Sequence, residues 1–405
     1  MSLNDTPSSE RVHIAFFGIR NAGKSSLVNA VTSQEMSLVS PVKGTTTDPV
    51  RKAMELLPIG PVLIIDTPGI DDSGELGSKR AERAEEILKE SDIAVLVCEY
   101  GRDPGDKETE LIKLFRERNI PYVKALTKAD LYGEELKEPA SGENEIVLSS
   151  KSGYHIKEFK ELLGSFAERN KGKEKRLVGD LLNPGDTVVL VIPIDESAPK
   201  GRLILPQQQT IRDILESGCN ALVCRDSELE DSLKKLKKKP ALVITDSQAY
   251  GRVSKIVPKD IFLTSFSMLF ARYKGDLFTL KEGADALKKL RDGDRVLISE
   301  GCTHHRQCND IGSVKLPGWI REYCGGEPLF SFTSGTGFPE ELKTYSLIVH
   351  CGGCMLNEAE MRFRIKKAVE AQVPIVNYGI AIAAMNGILE RCMEVFGKDP
   401  SLRSG

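Results

Sequence analysis

The sequence feature that most constrains the fold is a phosphate-binding loop near the N-terminus. Residues 18–25 read Gly-Ile-Arg-Asn-Ala-Gly-Lys-Ser, a complete G-x-x-x-x-G-K-S motif. It follows the apolar run 12–17 and precedes residues 26–31, whose apolar positions have helical spacing. A strand, a glycine-rich turn and a helix in this order surround phosphates with backbone N–H groups. The N-terminal part is therefore predicted to be an α/β domain that binds a nucleoside triphosphate.

The residues of this loop have distinct expected roles. Lys24 is expected to reach the β- and γ-phosphates, and Ser25 to bind magnesium. Further contacts to the nucleotide are predicted for the other loop residues and the one that follows: Gly18, Asn21, Ala22, Gly23 and Ser26.

Two later segments are predicted to complete the magnesium and γ-phosphate site. Residues 40–48 form a loop by composition, and Thr46 within it is the predicted second magnesium ligand. Asp66 follows the apolar run 62–65, so its carboxylate can hold the magnesium shell. The N–H group of Gly69 can bond the γ-phosphate, and hydrolysis would release the loop behind it.

The predicted base pocket has the chemistry that selects guanine. Asp130, in the Thr-Lys-Ala-Asp segment after the apolar run 121–126, would accept the N1 and N2 hydrogens of guanine. Thr127 opens this segment, and the stem of Lys128 would lie over the base. The pocket is completed by Ser149, Ser150 and Lys151.

In order and spacing, these motifs resemble GTPases of the translation-factor-like class, and most of all the tRNA-modification and ribosome-assembly group. That group usually has Asn where Thr127 stands, so the shorter side chain is expected to weaken the bridge between base loop and phosphate loop. The resemblance implies that Asn21 helps bind an activating potassium ion, although turn geometry alone would also favour asparagine there. Ile70 stands where many signalling GTPases carry the water-orienting glutamine, so intrinsic hydrolysis is expected to be slow.

Length, charge and cysteine content limit the possible function classes. A chain of 405 residues is expected to form two to four domains. Its 56 basic and 59 acidic side chains nearly balance, so the chain has no net electrostatic field that would favour binding to nucleic acid or to a membrane surface. No apolar stretch approaches the roughly 18 residues of a spanning helix, and the first residues lack a signal-peptide core. Nine cysteines then indicate a reducing, cytoplasmic location and metal or redox chemistry rather than disulfides.

The middle of the chain shows no catalytic constellation. Residues 167–180 are charged and lack apolar periodicity, which is typical of a linker. Short apolar runs then alternate with helical patterns between residues 187 and 264, which predicts a small parallel α/β unit. Cys219 and Cys224 are interpreted as buried thiols. A unit of this size without chemistry is expected to be an assembly surface.

A group of cysteines and histidines in the last third is the second informative feature. Its members are Cys302, His304, His350, Cys351 and Cys354. The first two follow a predicted strand at 294–299, and the others follow a predicted strand at 345–349. Because parallel strands end at the same edge of a sheet, groups almost 50 residues apart can converge there. A helix predicted over 358–371 begins just afterwards, and its dipole would favour thiolates.

Several chemistries fit this group. Zinc would take Cys302, Cys351, Cys354 and one histidine. An iron–sulfur cluster would take the three thiolates and leave one iron with a labile or histidine ligand. A thioredoxin-like redox pair would use only Cys351 and Cys354. In the remaining alternative these residues are buried incidentally and have no chemical role. The residues alone leave zinc and iron–sulfur equally open.

A C-x-H and H-C-x-x-C pair downstream of a GTPase domain resembles the maturation GTPase of iron–iron (FeFe) hydrogenases. Residues 200–215 also fit that family's middle region, and the resemblance spans nearly the whole chain. It implies three α/β domains: a phosphate-loop GTPase domain over 1–170, a small parallel-sheet dimerisation domain over 178–265, and a C-terminal parallel-sheet domain over 266–405 that binds a 4Fe–4S cluster.

By the same resemblance, Cys302, Cys351 and Cys354 are the cluster ligands, and His304 and His350 match the family's histidines. His305 is a further local candidate, whereas Cys308 and Cys324 have no counterpart in the motif and are interpreted as structural.

The resemblance also implies a function. The protein would be a cytoplasmic, homodimeric scaffold that hydrolyses GTP to GDP with magnesium and is activated by potassium. It would receive a transient diiron precursor with help from radical-SAM maturases and deliver it to apo FeFe-hydrogenase, without nucleic acid or membrane. The alternative is a GTPase of RNA modification or ribosome assembly with a structural zinc module. That alternative requires a basic groove with stacking aromatic residues, but the chain has one tryptophan and little basic clustering in its last third.

Overall fold

The protein divides into two compact units, residues 1–174 and residues 175–405. The structure, a computed structural model, describes residues 6–32, 49–69, 83–133, 144–170, 175–194, 203–301, 311–335 and 337–398. Largely parallel sheets form the core of both units, so the α/β class predicted from the sequence is confirmed.

The first unit is built on a sheet with the strand order β2-β3-β1-β4-β5-β6. Its strands are β1 (Val12–Gly18), β2 (Val50–Leu56), β3 (Gly60–Asp66), β4 (Ile93–Glu99), β5 (Tyr122–Thr127) and β6 (Glu145–Val147). β2 runs antiparallel to β3, and the other pairs are parallel. The helices with described bounds are Lys24–Thr32, Asp106–Glu117 and Ile156–Asn170, and residues 83–89 are also helical.

Alternate residues of β1 face two different hydrophobic clusters. Ile14 and Phe16 pack into one cluster, and Ala15 and Phe17 pack into the other. A strand buried on both faces needs a continuous apolar run, which is what the sequence of β1 supplies. This burial fixes the carboxyl end of β1, from which the phosphate-binding loop emerges.

The second unit contains two four-stranded parallel sheets among its described residues, with orders β10-β9-β7-β8 and β12-β11-β13-β14. The strands are β7 (Thr187–Val191), β8 (Asn220–Cys224), β9 (Leu242–Thr245), β10 (Phe262–Ser265), β11 (Arg295–Ser299), β12 (Leu329–Thr333), β13 (Leu347–His350) and β14 (Ile375–Asn377). The helices described in this unit are Leu205–Glu216, Leu229–Lys235, Tyr250–Ile256, Phe266–Lys274, Leu277–Gly283, Leu316–Cys324, Glu358–Glu370, Tyr378–Met385 and Leu389–Met393.

One hydrophobic cluster runs through both sheets of the second unit. It includes Leu190 and Ile244 from the first sheet and Ile298 and Val349 from the second. The helix Phe266–Lys274 contacts helices that belong to both sheets. Packing is therefore continuous across residues 265 and 266, where the sequence predicts a domain boundary. None of the described helices is long and apolar enough to cross a membrane.

Candidate functional sites

The phosphate-binding loop lies between the end of β1 and the helix Lys24–Thr32. The N–H group of Leu27 donates to the carbonyl oxygen of Gly23 at 2.9 Å, so helical bonding begins inside the motif. Lys24 is buried, with 9% of its surface exposed. Asn21 is exposed and has a φ of +64°, a left-handed conformation that asparagine tolerates. Its predicted contact with potassium stays a prediction.

Ser25 and Asp66 meet at the end of the loop, where magnesium is expected. The hydroxyl of Ser25 donates to Oδ2 of Asp66 at 3.0 Å, and Nζ of Lys24 lies 4.0 Å from Oδ1. Burial raises the pKa of Asp66, while the charge of Lys24 and the bond from Ser25 oppose that rise. Within the described residues, no hydrogen bond satisfies Oδ1, although it is buried.

A buried carboxylate oxygen without a hydrogen bond, beside a serine hydroxyl, is a suitable ligand set for a magnesium ion. The residues present therefore fit the metal that a phosphate-binding loop requires. Thr46, the other predicted ligand, lies outside the described residues, as does Ile70. Gly69 is half-buried three residues after β3.

Thr127 bridges the base loop and the phosphate loop directly. Its Oγ1 lies 2.5 Å from the carbonyl oxygen of Ala22 and 3.0 Å from that of Cys98. Gly23, at a φ of +88°, approaches so closely that a Cβ there would lie 3.3 Å from Oγ1. Threonine therefore makes this bridge, and the expectation that the bridge is weaker than with asparagine stays a prediction. A short side chain suffices because the two loops approach within hydrogen-bonding distance.

The predicted guanine-binding residues are held together by a serine. Oγ of Ser149 donates to Oδ1 of Asp130 at 2.6 Å and accepts from the N–H groups of Lys151 and Ser152, each at 3.2 Å. Asp130 is exposed, so its carboxylate is accessible to a ligand. Lys128 has a φ of +64° and pairs with Oε2 of Glu99 at 2.7 Å.

The remaining predicted nucleotide contacts differ in exposure. Gly18 and Ala22 are buried, Ser150 is half-buried and Ser26 is exposed.

In the second unit, the C-x-x-C loop starts where β13 ends. β11 and β13 are parallel with Ser299 opposite His350, and the N–H group of Cys351 donates to the carbonyl oxygen of Ser299 at 2.9 Å. Sγ of Cys351 accepts from the N–H group of Gly301 at 3.0 Å and from that of Gly353 at 3.4 Å. The chain at Gly301, one residue before Cys302, is thus in contact with the sulfur of Cys351.

Two members of the predicted group, Cys302 and His304, lie outside the described residues, as do the further candidate His305 and Cys308. In the part of the chain that the structure describes, no three His, Cys, Asp or Glu side chains are arranged to hold a metal ion. The two described cysteines nevertheless suit a metal centre. Backbone N–H groups directed at a sulfur stabilise a thiolate and tune bound iron–sulfur clusters.

Both thiols have raised pKa values in this structure. Burial raises the pKa of Cys351 to about 11, although the hydrogen bonds from the N–H groups of Gly301 and Gly353 act to lower it. Burial also raises the pKa of Cys354, although the positive charge of Lys274 acts to lower it. A metal that binds here would displace the two protons, because thiolates are the ligands.

The shape of the loop depends on one glycine and on the helix behind it. Gly353 has a φ of +64°, and a Cβ at this position would lie 2.6 Å from Sδ of Met361. The helix Glu358–Glu370 follows, capped by Asn357, whose Oδ1 accepts from the N–H group of Glu360 at 3.1 Å. The helix predicted after the loop is confirmed.

His350 is buried and uses both ring nitrogens within the protein. Its Nε2 accepts from Nη1 of Arg364 at 3.0 Å, because arginine can only donate, and its Nδ1 therefore donates to the carbonyl oxygen of Cys351 at 2.7 Å. Burial and the Arg364 charge lower the pKa of His350 to about 3, so the ring is neutral. In this geometry the imidazole orients the loop. Its role as a metal ligand stays a prediction and would require one of these bonds to break.

Arg364 is a residue of this site that sequence reasoning missed. Its fully buried guanidinium donates to Oε1 of Glu360 at 2.7 Å and to the carbonyl oxygen of Gly335 at 2.7 Å, and lies 5.2 Å from the ring of Phe338. The only local signal is an i,i+4 Glu–Arg pair. Glu358 and Arg362, two positions earlier, form the same pair on the exposed face, so the pattern does not identify the buried one.

Models of known protein families match three parts of this chain and identify its family. The model described as the hydrogen maturase F dimerization domain matches residues 177–275, and the one described as the hydrogen maturase F tetramerization domain matches residues 278–395. A third, described as a 50S ribosome-binding GTPase, matches residues 13–128. The chain belongs to the hydrogen maturase F family. The two hydrogen maturase F models meet between residues 275 and 278, and the boundary predicted between 265 and 266 stays a prediction.

Two curated relatives and one solved structure are similar to parts of this chain. GTPase Der of Wolinella succinogenes is 36% identical over 139 residues, which are 34% of this chain and 29% of that protein. The tRNA modification GTPase MnmE of Nitrosomonas eutropha is 29% identical over 174 residues, 42% of this chain and 37% of that protein. The crystal structure of a probable GTP-binding protein engB is 23% identical with a TM-score of 0.29, over 39% of this chain and 99% of that one. The chain thus spans about a third of the length of these curated relatives.

Proposed function

We propose that this hydrogen maturase F family member is a GTP-hydrolysing scaffold. It would carry the diiron precursor of the FeFe-hydrogenase active site and bind a 4Fe–4S cluster in its C-terminal domain. The observation that carries the proposal is the contact between the Gly301 N–H group and the sulfur of Cys351. It brings the residue before Cys302 into contact with the sulfur of Cys351, in a chain that also has a GTPase domain.

In the nucleotide site, the protein's own groups position GTP and stabilise charge that develops on the phosphates. Lys24 would neutralise the β- and γ-phosphates, while Ser25, Asp66 and Thr46 would hold magnesium. The Gly69 N–H group would bond the γ-phosphate. Potassium held by Asn21 would substitute for an arginine finger. Hydrolysis to GDP would then act on residues 40–48 and 69–78, which apart from Gly69 lie outside the described residues, as a switch that affects partner release.

In the second unit, Cys302, Cys351 and Cys354 would hold the cluster. Three thiolates leave one iron without a cysteine ligand, which supplies a coordination position for a further group. His304 and His350 are the proposed histidine candidates. The Gly301 and Gly353 N–H groups would stabilise negative charge on the sulfur of Cys351.

The proposed assembly is a cytoplasmic homodimer formed through residues 178–265. β8 is at the edge of its sheet, and Val223 on it is 45% exposed. Leu215, on the preceding helix, is 56% exposed. Apolar groups on an open sheet edge favour association with another chain. The further proposed partners are apo FeFe-hydrogenase and radical-SAM maturases, without nucleic acid or membrane.

Anaerobic purification followed by iron, sulfide and zinc analysis and electron paramagnetic resonance tests the cluster. We expect iron with sulfide and a paramagnetic signal on reduction. Cys302→Ala should lose the assembled cluster, whereas the control Cys324→Ala, a cysteine outside the motif, should retain it. Zinc without sulfide would instead favour a GTPase of RNA modification or ribosome assembly with a zinc module. Full iron in Cys302→Ala would refute the convergence of the three cysteines.

A further inference from the structure

A buried lysine contacts the backbone of the C-x-x-C loop. Lys274 is the last residue of the helix Phe266–Lys274, and only 3% of its surface is exposed. Its Nζ donates to the carbonyl oxygens of Leu356 at 2.7 Å, Cys354 at 3.2 Å and Gly353 at 3.4 Å. The three N–H hydrogens of an ammonium group match these three carbonyls in number.

This arrangement is costly unless the charge is compensated. Lysine is among the side chains that are least often fully buried, and a desolvated ammonium needs hydrogen bonds to offset the loss of water. The ring of Phe270, whose centroid is 5.4 Å from Nζ, adds a cation–π contact. Three carbonyls of one short loop therefore contribute to the compensation.

The same contacts constrain the loop. Carbonyls of residues 353, 354 and 356 must face one point, which fixes the peptide planes on both sides of Cys354. One turn bond also lies within this stretch, from the N–H group of Leu356 to the carbonyl oxygen of Gly353 at 3.1 Å. Lys274 thus holds the segment that presents the second thiol of the motif.

The contact joins two segments that the family models separate. Lys274 falls in the match to the dimerization domain, residues 177–275, and the loop falls in the match to the tetramerization domain, residues 278–395. The cysteine loop is therefore shaped partly by a side chain that lies outside the family-model match containing the loop.

We propose that Lys274 is a positioning residue of the cluster site. It orders the loop that carries Cys351 and Cys354, and its positive charge stabilises the anionic cluster, most of all after reduction. This inference rests on the proposed function, because it assumes that the loop holds an iron–sulfur cluster. A cation close to a cluster raises its reduction potential, since the reduced form carries one more negative charge.

The test compares full-length Lys274→Met, Lys274→Gln and the control Lys281→Met after anaerobic reconstitution with iron and sulfide. Lys281 is on the next helix and forms an ion pair with Glu390. Iron loss to a chelator and the midpoint potential of the cluster are measured for each protein. We expect Lys274→Met to lose iron on the order of 10- to 100-fold faster than wild type, as for other residues that support metal ligands.

Lys274→Gln separates hydrogen bonding from charge. Its neutral amide can donate two N–H bonds, so it should restore part of the iron retention. It should not restore the potential, which is expected to shift to more negative values in both variants. Lys281→Met should match wild type in both measurements. Because Lys274→Gln keeps donors in a similar volume, it also provides the potential measurement if Lys274→Met fails to fold.

Two results would overturn the inference: wild-type retention and potential in Lys274→Met, or faster iron loss with an unchanged potential in both variants. The second result would leave Lys274 as a support of the fold alone. If wild-type protein takes up zinc and no sulfide, the proposed function fails instead. Zinc retention in Lys274→Met against wild type then still decides whether this lysine holds the loop.

Discussion

Single side chains in the nucleotide site determine which steps of GTP hydrolysis the chain can support. Asp66 keeps a buried carboxylate oxygen available beside the hydroxyl of Ser25, and Lys24 lies next to it. The positive charge of Lys24 is the group that can neutralise the transferred phosphate. Loss of that charge should therefore affect turnover more than it affects folding.

Lys24→Ala should remove most GTP hydrolysis. One electrostatic contact to the developing charge is typically worth a factor of about 100 to 1,000 in rate. Phosphate release measured with GTP should fall accordingly, while Lys113→Ala, which changes an exposed residue in the same unit, should match wild type.

Wild-type protein should prefer GTP over ATP and hydrolyse GTP faster in potassium than in sodium. Equal rates in the two salts would exclude the role of Asn21 in potassium binding and leave the GTPase assignment intact.

The hydroxyl of Thr127 gives a second prediction for single residues. Thr127→Val keeps the shape of the side chain but cannot donate to the carbonyl oxygen of Ala22. Loss of about 1 to 1.5 kcal/mol should weaken GDP binding by roughly tenfold. Calorimetric titration with GDP measures the change, and Thr109→Val, which removes an exposed hydroxyl from the same unit, is the control. An unchanged affinity would show that the bridge does not shape the nucleotide site.

At the level of whole elements, the strands buried on both faces could be predicted from the sequence. Each of β1, β3 and β11 has an apolar centre, and the predicted bounds of each strand lie within two residues of the observed ones. β2 and β12 could not be predicted in this way. Both are at sheet edges, where one face is exposed, so polar residues interrupt the apolar pattern.

Prediction of the cysteine site followed from one topological rule, that parallel strands end together. The rule brings the ends of β11 and β13 to one edge, and the contact between Gly301 and Cys351 is consistent with it. The support from Lys274 and Arg364 could not be predicted, because both residues reach the site through tertiary packing. The spacing of residues along the sequence does not indicate which distant helices contact each other in the fold.

The helix Glu358–Glu370 offers a matched pair of arginines for a stability prediction. Arg364→Leu should destabilise the second unit by about 3–5 kcal/mol, because it leaves the carboxylate of Glu360 buried and unpaired. Arg362→Leu, which removes one of the two exposed cationic partners of Glu358, should cost less than about 1 kcal/mol. Thermal unfolding measures both, and the transition of the first unit is recognised by its upward shift with GDP and magnesium. Equal shifts for the two variants would contradict the assigned burial of the Arg364 network.

At the scale of the whole molecule, the two functional sites belong to different compact units. The nucleotide site lies in residues 1–174, and the cysteine loop lies in residues 175–405. We expect any coupling between bound GTP and a bound cluster to be carried by a change in how the two units are arranged. It must also be reciprocal, because binding free energies at two linked sites change each other equally.

A fragment that ends at residue 174 should be a monomer that still hydrolyses GTP. This unit has its own sheet and two hydrophobic clusters, and the proposed association surface lies beyond residue 174. Light scattering on the fragment and on the full chain measures the difference, with the full chain expected to be a dimer or larger. A dimeric fragment would move the interface into the GTPase domain.

Activation of a hydrogenase apo-enzyme measures whether delivery of the diiron unit depends on the cysteine loop. Wild type, Cys351→Ala, Lys24→Ala and the control Cys324→Ala are each loaded by the radical-SAM maturases, mixed with apo FeFe-hydrogenase and assayed for hydrogen evolution. Cys351→Ala should hydrolyse GTP at roughly the wild-type rate and fail to activate the enzyme. Lys24→Ala should be impaired with its cluster still assembled, and Cys324→Ala should activate fully. Full activation by Cys351→Ala would contradict the account, because delivery of the diiron unit would then not depend on the cysteine loop.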